Sequence, residues 1–203
     1  MKRLAIAALA FALLSTSSLA AITSINDVLT YKDGTGHTQE APLTLAPSFD
    51  SGPVSATATP ANSSHAAGTS VGGLFSIPVA RVVGGSGIIT NLNYKSTGGS
   101  TGALAVRIWQ KNPTNTTCTD NTAFAGSDTD DAQLITPPLS ITPAAPASLT
   151  GDTATYASIS SVSWDYNKVG DTTQNIYVCL VTVATDTADQ NHLVRVQLSG
   201  PQN

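Results

Sequence analysis

Residues Val71 to Gln110 constrain the fold more than any other stretch of this chain. Three apolar segments of strand character are separated there by two glycine clusters, Gly84-Gly85-Ser86-Gly87 and Gly98-Gly99-Ser100-Thr101-Gly102. The last segment alternates Leu104, Val106 and Ile108 with Ala105, Arg107 and Trp109. A period of two places one set on a buried face and the other on a mixed face of a sheet. The stretch reads as the first part of a β-sandwich.

Three further strands are expected at Thr155 to Trp164, Asn175 to Ala184 and His192 to Leu198. In the second, Ile176, Val178 and Leu180 share one face while Tyr177, Cys179, Val181 and Val183 share the other. Both faces are apolar, which predicts a central strand. Ser127 followed by Asp128 to Ile135 predicts one short helical turn with acids in its first turn. No helices alternate with strands, so the class is all-β: an antiparallel, jelly-roll-like sandwich of roughly seven or eight strands.

Three regions follow. Residues 1–21 hold Lys2 and Arg3, an apolar run from Leu4 to Leu14, and a small-residue end at Ser18-Leu19-Ala20. That is the pattern of a secretory signal peptide; the other reading is an uncleaved apolar arm that docks on a partner. The run is too short to span a bilayer as a helix, which takes about 20 residues. Residues 22–64 read as an extended arm with one short strand, Val28 to Tyr31, before the turn signal Asp33-Gly34-Thr35-Gly36. Pro42, Pro47, Pro53 and Pro60 then predict a linker from Pro42 to Ser64. Residues 65–203 form the sandwich.

Charged residues are 11% of the chain, against about 25% in an ordinary soluble domain. Thr, Ser, Ala and Gly take their place, as in extracellular and virion β-proteins. A net charge of −4 leaves no basic stripe to hold a phosphate backbone, so nucleic acid is not an expected partner.

The sharpest catalytic motif is the G-x-S-x-G of Gly98, Ser100 and Gly102, with acids downstream and His192 last. The motif works where the serine tops a strand-to-helix turn. Here a strand pattern follows, so a glycine-rich hairpin loop is expected and no catalytic residue is assigned; a serine esterase built on Ser100 is the third reading of the chain's function. Asp120, Asp128, Asp130 and Asp131 lack the spacing of a calcium loop. His37, His65 and His192 lie far apart in sequence, with no Cys at zinc spacing. The first glycine cluster has no Lys-Ser or Lys-Thr after it and is not a phosphate loop. Neither a metal nor a cofactor is expected. Asn62-Ser63-Ser64 and Asn115-Thr116-Thr117 match a glycosylation sequon that a Thr-rich chain produces easily. Cys118 and Cys179 are the only cysteines. Either they form a disulfide tying a polar loop to the core, or Cys179 is a buried apolar residue and Cys118 a loop thiol.

Several segments together resemble a family of tailed-bacteriophage virion structural proteins. They are His65 to Leu74, Ile77-Pro78-Val79-Ala80-Arg81, Gly84 to Ile89, and Ala103 to Trp109, followed by the loop Asn112-Pro113-Thr114, Asp120-Asn121 and Ala123-Phe124. His65 and Thr69 stand where that family has an aromatic residue and an Asp. The resemblance implies a non-enzymatic capsid decoration or minor capsid component on the virion surface. Its partners would be the major capsid protein or copies of itself, as a homo-oligomer or lattice-bound. The alternative is a secreted or cell-surface module binding glycan or protein, with Tyr94, Trp109, Tyr156, Trp164 and Tyr166 as candidate aromatics.

Overall fold

A computed structural model describes residues 28–32, 38–42, 48–59, 64–80, 83–99, 101–145, 153–187 and 192–202. The signal-like segment, His37, Asn62, Arg81 and Ser100 lie outside the described residues. The chain divides into two compact units, Met1–Leu45 and Ala46–Asn203. In the first, β1 (Val28–Lys32) pairs antiparallel with β2 (Thr38–Pro42), Val28 opposite Pro42 and Lys32 opposite Thr38.

The second unit holds β3 (Ser48–Asp50), β4 (Val54–Ala58), β5 (Ser64–His65), β6 (Ser70–Pro78), β7 (Ser86–Ser96) and β8 (Leu104–Trp109). The helical turn α1 (Asp128–Asp131), β9 (Leu139–Ile141), β10 (Thr155–Asn167), β11 (Asn175–Thr182), β12 (Asp186–Thr187) and β13 (His192–Pro201) follow. One sheet runs β10-β7-β13, with β3 and β4 both on the far side of β13; the other runs β6-β11-β8-β9. Number β4, β6, β7, β8, β9, β10, β11 and β13 from first to eighth. One sheet is then first, eighth, third, sixth, and the other second, seventh, fourth, fifth. That order, with antiparallel neighbours throughout, is the eight-stranded jelly roll.

Alternation along the strands builds the core. Ile89, Leu92 and Tyr94 of β7 and Val194, Val196 and Leu198 of β13 meet Leu104, Val106 and Ile108 of β8 and Ile176, Val178 and Leu180 of β11 in one buried cluster. Each such side chain stabilises the fold by about 1.5–3 kcal/mol on full burial. The central strand expected at Asn175 to Ala184 is β11, between β6 and β8.

Three expectations are corrected. The stretch from Pro42 to Ser64 is not wholly a linker, because β3 and β4 are edge strands on β13. β4 faces His192 to Val196 and β3 faces Ser199 to Pro201. Between them Ser51 keeps the edge joined: its N–H donates to Leu198 O at 3.0 Å, and its hydroxyl accepts the Leu198 N–H at 3.0 Å. Pro53 sits at that break on a sheet edge, where no ladder donor is needed. The glycine clusters of the central stretch are turns but not hairpins, since β6, β7 and β8 do not pair with one another. Each turn carries the chain across to the opposite sheet. Finally, α1 is only four residues long and the Ser127 side chain does not cap it. Its end tightens into i to i+3 bonds, Gln133 N–H to Asp130 O and Leu134 N–H to Asp131 O, and Gln133 O turns to accept from Gln110 N–H.

Candidate functional site

The outer face of the β6-β11-β8-β9 sheet is covered. Trp109, Tyr177, Cys179 and Val181 form a second buried cluster there with Cys118, packed by Leu74, Phe124 and Leu134. The cover is the polar segment between β8 and α1. A disulfide joins Cys118 to Cys179 across 61 residues of sequence, with Cα atoms 6.2 Å apart. Of the two sequence readings of the cysteines, the structure has the bonded one.

Other contacts fasten the same loop. Arg107 donates to both Asp131 carboxylate oxygens at 2.9 and 3.1 Å, and its guanidinium lies 4.8 Å from the Phe124 ring centroid. Asp130 accepts from Thr116 Oγ1 at 2.7 Å and from the Asn115 backbone N–H at 2.8 Å. Burial pushes the Asp130 carboxyl up, but these hydrogen bonds outweigh it and hold the group below the usual range. Asp120 accepts the Gly72 N–H and the Thr59 N–H, each at 2.7 Å. Gly72 and Gly73, with φ of 73° and 78°, form the bulge that lets β6 reach it. Asp120, Asp130 and Asp131 thus serve separate partners while Asp128 is exposed. The four carboxylates do not converge, and no group able to hold a metal occurs among the described residues.

At one end of the sandwich the fold unites residues that sequence spacing kept apart. β5 pairs with β12, placing His65 opposite Asp186. The His65 and His192 rings meet edge to face with centroids 6.1 Å apart, and His65 Nε2 is 3.7 Å from Asp120 Oδ1. Burial pushes His65 below its ordinary pKa, against the pull of Asp120. Gly98 lies against the His192 ring and Gly102 against Asp186, so close that an added Cβ would clash with either. The Gly102 N–H donates to Asp186 Oδ1 at 2.8 Å. This loop leads from β7 into β8, a strand, so the helix N-terminus that the serine-hydrolase turn requires is not at its exit. Pairing of a two-residue ribbon between His65 and Asp186 leaves no periodic trace, and nothing in the sequence marks the histidine pair.

A third feature is the charged turn after β10. Lys168, fully buried, donates from Nζ to Asp171 at 2.5 Å and to the Gln110 carbonyl, closing that turn on the end of β8.

The outer face of the β10-β7-β13 sheet is not covered by any described segment of its own unit. Three rows of side chains cross it: Ser160, Asn91 and Ser199; Ser158, Asn93 and Gln197; and Tyr156, Lys95, Arg195 and Ser55. Pro53 and the last two rows, apart from Ser55, line a shallow groove of about 590 Å³. Of the candidate aromatics, Tyr94, Trp109 and Tyr166 are buried and Trp164 packs against the core, so only Tyr156 is exposed.

No family model and no curated protein matches the sequence. Among solved structures, the chain is similar to one from the native virion of Kashmir bee virus at acidic pH, at 9% identity and a TM-score of 0.30 over 92% of both chains. It is also similar to one from the full particle of Israeli acute paralysis virus heated to 63 degrees, at 12% identity and a TM-score of 0.32 over 93% of this chain and 94% of that one. Likenesses at these scores add nothing to the strand order as a guide to function.

Proposed function

We propose that the chain is a non-enzymatic structural protein of a virus particle, carried on the particle surface as a decoration or minor capsid component. Its partners are the major capsid protein or further copies of itself. The observation that carries this reading is the strand order: an eight-stranded jelly roll, an architecture used by viral capsid domains. A surface with few charges and many hydroxyls, and a long loop fastened by a disulfide and ion pairs, fit a part exposed outside a cell. The finer form of the reading, a head decoration of a tailed phage, is supported by the motif resemblance between His65 and Phe124. Symmetry would multiply a modest contact per copy into firm attachment.

The test is a mass-spectrometric census of purified particles, paired with rebinding of the recombinant chain to particles stripped of it. The reading expects peptides of this chain at a copy number matching a lattice symmetry, and saturable rebinding. A monomer that is absent from particles and accumulates in culture supernatant contradicts it.

A further inference from the structure

We propose that the groove over β7, β10 and β13 is a binding site for a carboxylate-bearing saccharide. This goes beyond a structural role and stands whether or not the chain sits on a particle.

Two cations carry the inference. Lys95 and Arg195 are cross-strand partners on the same face, and like charges placed directly opposite destabilise a sheet. Neither forms an ion pair among the described residues, and Arg195 Nε is buried without a hydrogen-bond partner. Lys95 Nζ instead rests 5.0 Å from the Tyr156 ring centroid. Asp50, which touches the groove through Gln197, is engaged elsewhere: its Oδ1 accepts from Gln197 Nε2 at 2.6 Å and from the Gly52 N–H at 2.9 Å. A chain of net charge −4 therefore keeps two adjacent unneutralised cations in its groove. Two like charges held side by side, with a ring face for Lys95 but no carboxylate partner for either among the described residues, point to an anion from outside.

The neighbouring groups select among anions. Asn93 and Ser158 are exposed beside the cations and each offers both a donor and an acceptor, while the Gln197 amide, whose Nε2 donates to Asp50, offers its Oε1 as an acceptor. Sugar hydroxyls need both; sulfate and phosphate need only donors. A guanidinium beside an ammonium suits a carboxylate, and the exposed Tyr156 ring offers apolar area to a pyranose face. Strand addition by an acidic peptide needs a free sheet edge, whereas β7 and β13, which carry the two cations, are central strands whose backbone groups are already paired; a peptide held by side-chain charge alone is what the oligoglutamate competitor reports. The volume lies within the range of about 300–1,000 Å³ usual for ligand sites.

The experiment is a heteronuclear NMR titration of the full chain at low ionic strength. The probes are tetragalacturonate and sialyllactose, each beside its methyl ester, with sodium sulfate and an oligoglutamate peptide as competitors. The expected result is saturable shifts at Asn93, Lys95, Tyr156, Arg195 and Gln197 with at least one acid saccharide and none with its ester. K95Q and R195Q should each weaken that binding about tenfold, the loss of one charge-assisted contact, while thermal unfolding shows both variants folded. The proposal is overturned if neither acid saccharide perturbs the groove, if the esters bind equally, if either variant binds as the parent does, or if sulfate or the peptide occupies the same residues as tightly.

Discussion

The two outer faces of this sandwich were given opposite treatments by one chain. Over β6, β11 and β8 the chain supplies its own cover, so Tyr177, Cys179 and Val181 are buried on the side away from the main core. Over β10, β7 and β13 no described segment of the same unit returns, and the outward rows are Ser, Asn, Gln, Lys, Arg and Tyr. Sheets covered on both sides read as continuous apolar runs, and sheets covered on one side read as alternation. The difference teaches that a jelly roll needs only one face of each sheet for its core, leaving the other for a loop or for a partner.

The contrast is broken most forcefully at the disulfide. Replacing both Cys118 and Cys179 with Ser should lower unfolding free energy by about 4 kcal/mol, from the chain entropy of the 61-residue separation. Urea denaturation measures it, and a loss below about 0.5 kcal/mol, the scale of a neutral surface change, would mean that the cover is held by other means. Next is Asp120→Ala, which leaves the Gly72 and Thr59 N–H groups without their acceptor. About 2 kcal/mol is expected from the same measurement, in the range for orphaned donors.

A smaller effect is expected from pH. The His65 pKa is lowered in the folded state, mainly by burial, in surroundings that include Asp120, His192 and Asp186. The unfolded chain then binds more protons than the folded one below the ordinary value of 6.5. Stability contributed by neutral His65 is fully present above that pH and is lost as pH falls through it toward the lowered folded value. Denaturation midpoints followed downward from neutrality should show this slope, and it should shrink in His65→Phe. Smallest of all, Ser160→Ala and Asn91→Ala on the open face should each change stability by less than about 0.5 kcal/mol. A loss above 1 kcal/mol at either, on the same scale, would show that this face carries structural contacts after all.

Much of this was legible in the residues. The alternation of Leu104, Val106 and Ile108, and the two apolar faces of Ile176 to Val181, place β8 and β11 where they are found. The alternation of Val54, Ala56 and Ala58 with Ser55 and Thr57 in β4 was also there. Its small side chains and flanking prolines made it read as linker, because an edge strand tolerates both. What the sequence does not carry is pairing between distant segments. β5 and β12 are two residues each, too short for any period, yet they set His65 beside Asp186. Lys95 and Arg195, likewise, become neighbours only through the register of β7 with β13.

The central claim is that the loop from β8 to α1 closes one face while the other stays independent of it. Amide hydrogen exchange of the full chain, oxidised and then reduced, tests this directly. The Thr117, Asn121 and Phe124 amides, which donate to Ala125, Ser70 and Gly68 carbonyls, should lose protection on reduction, while amides of β7 and β13 around Lys95 and Arg195 keep theirs. Equal loss in both sheets, or unchanged protection in the loop, would contradict it.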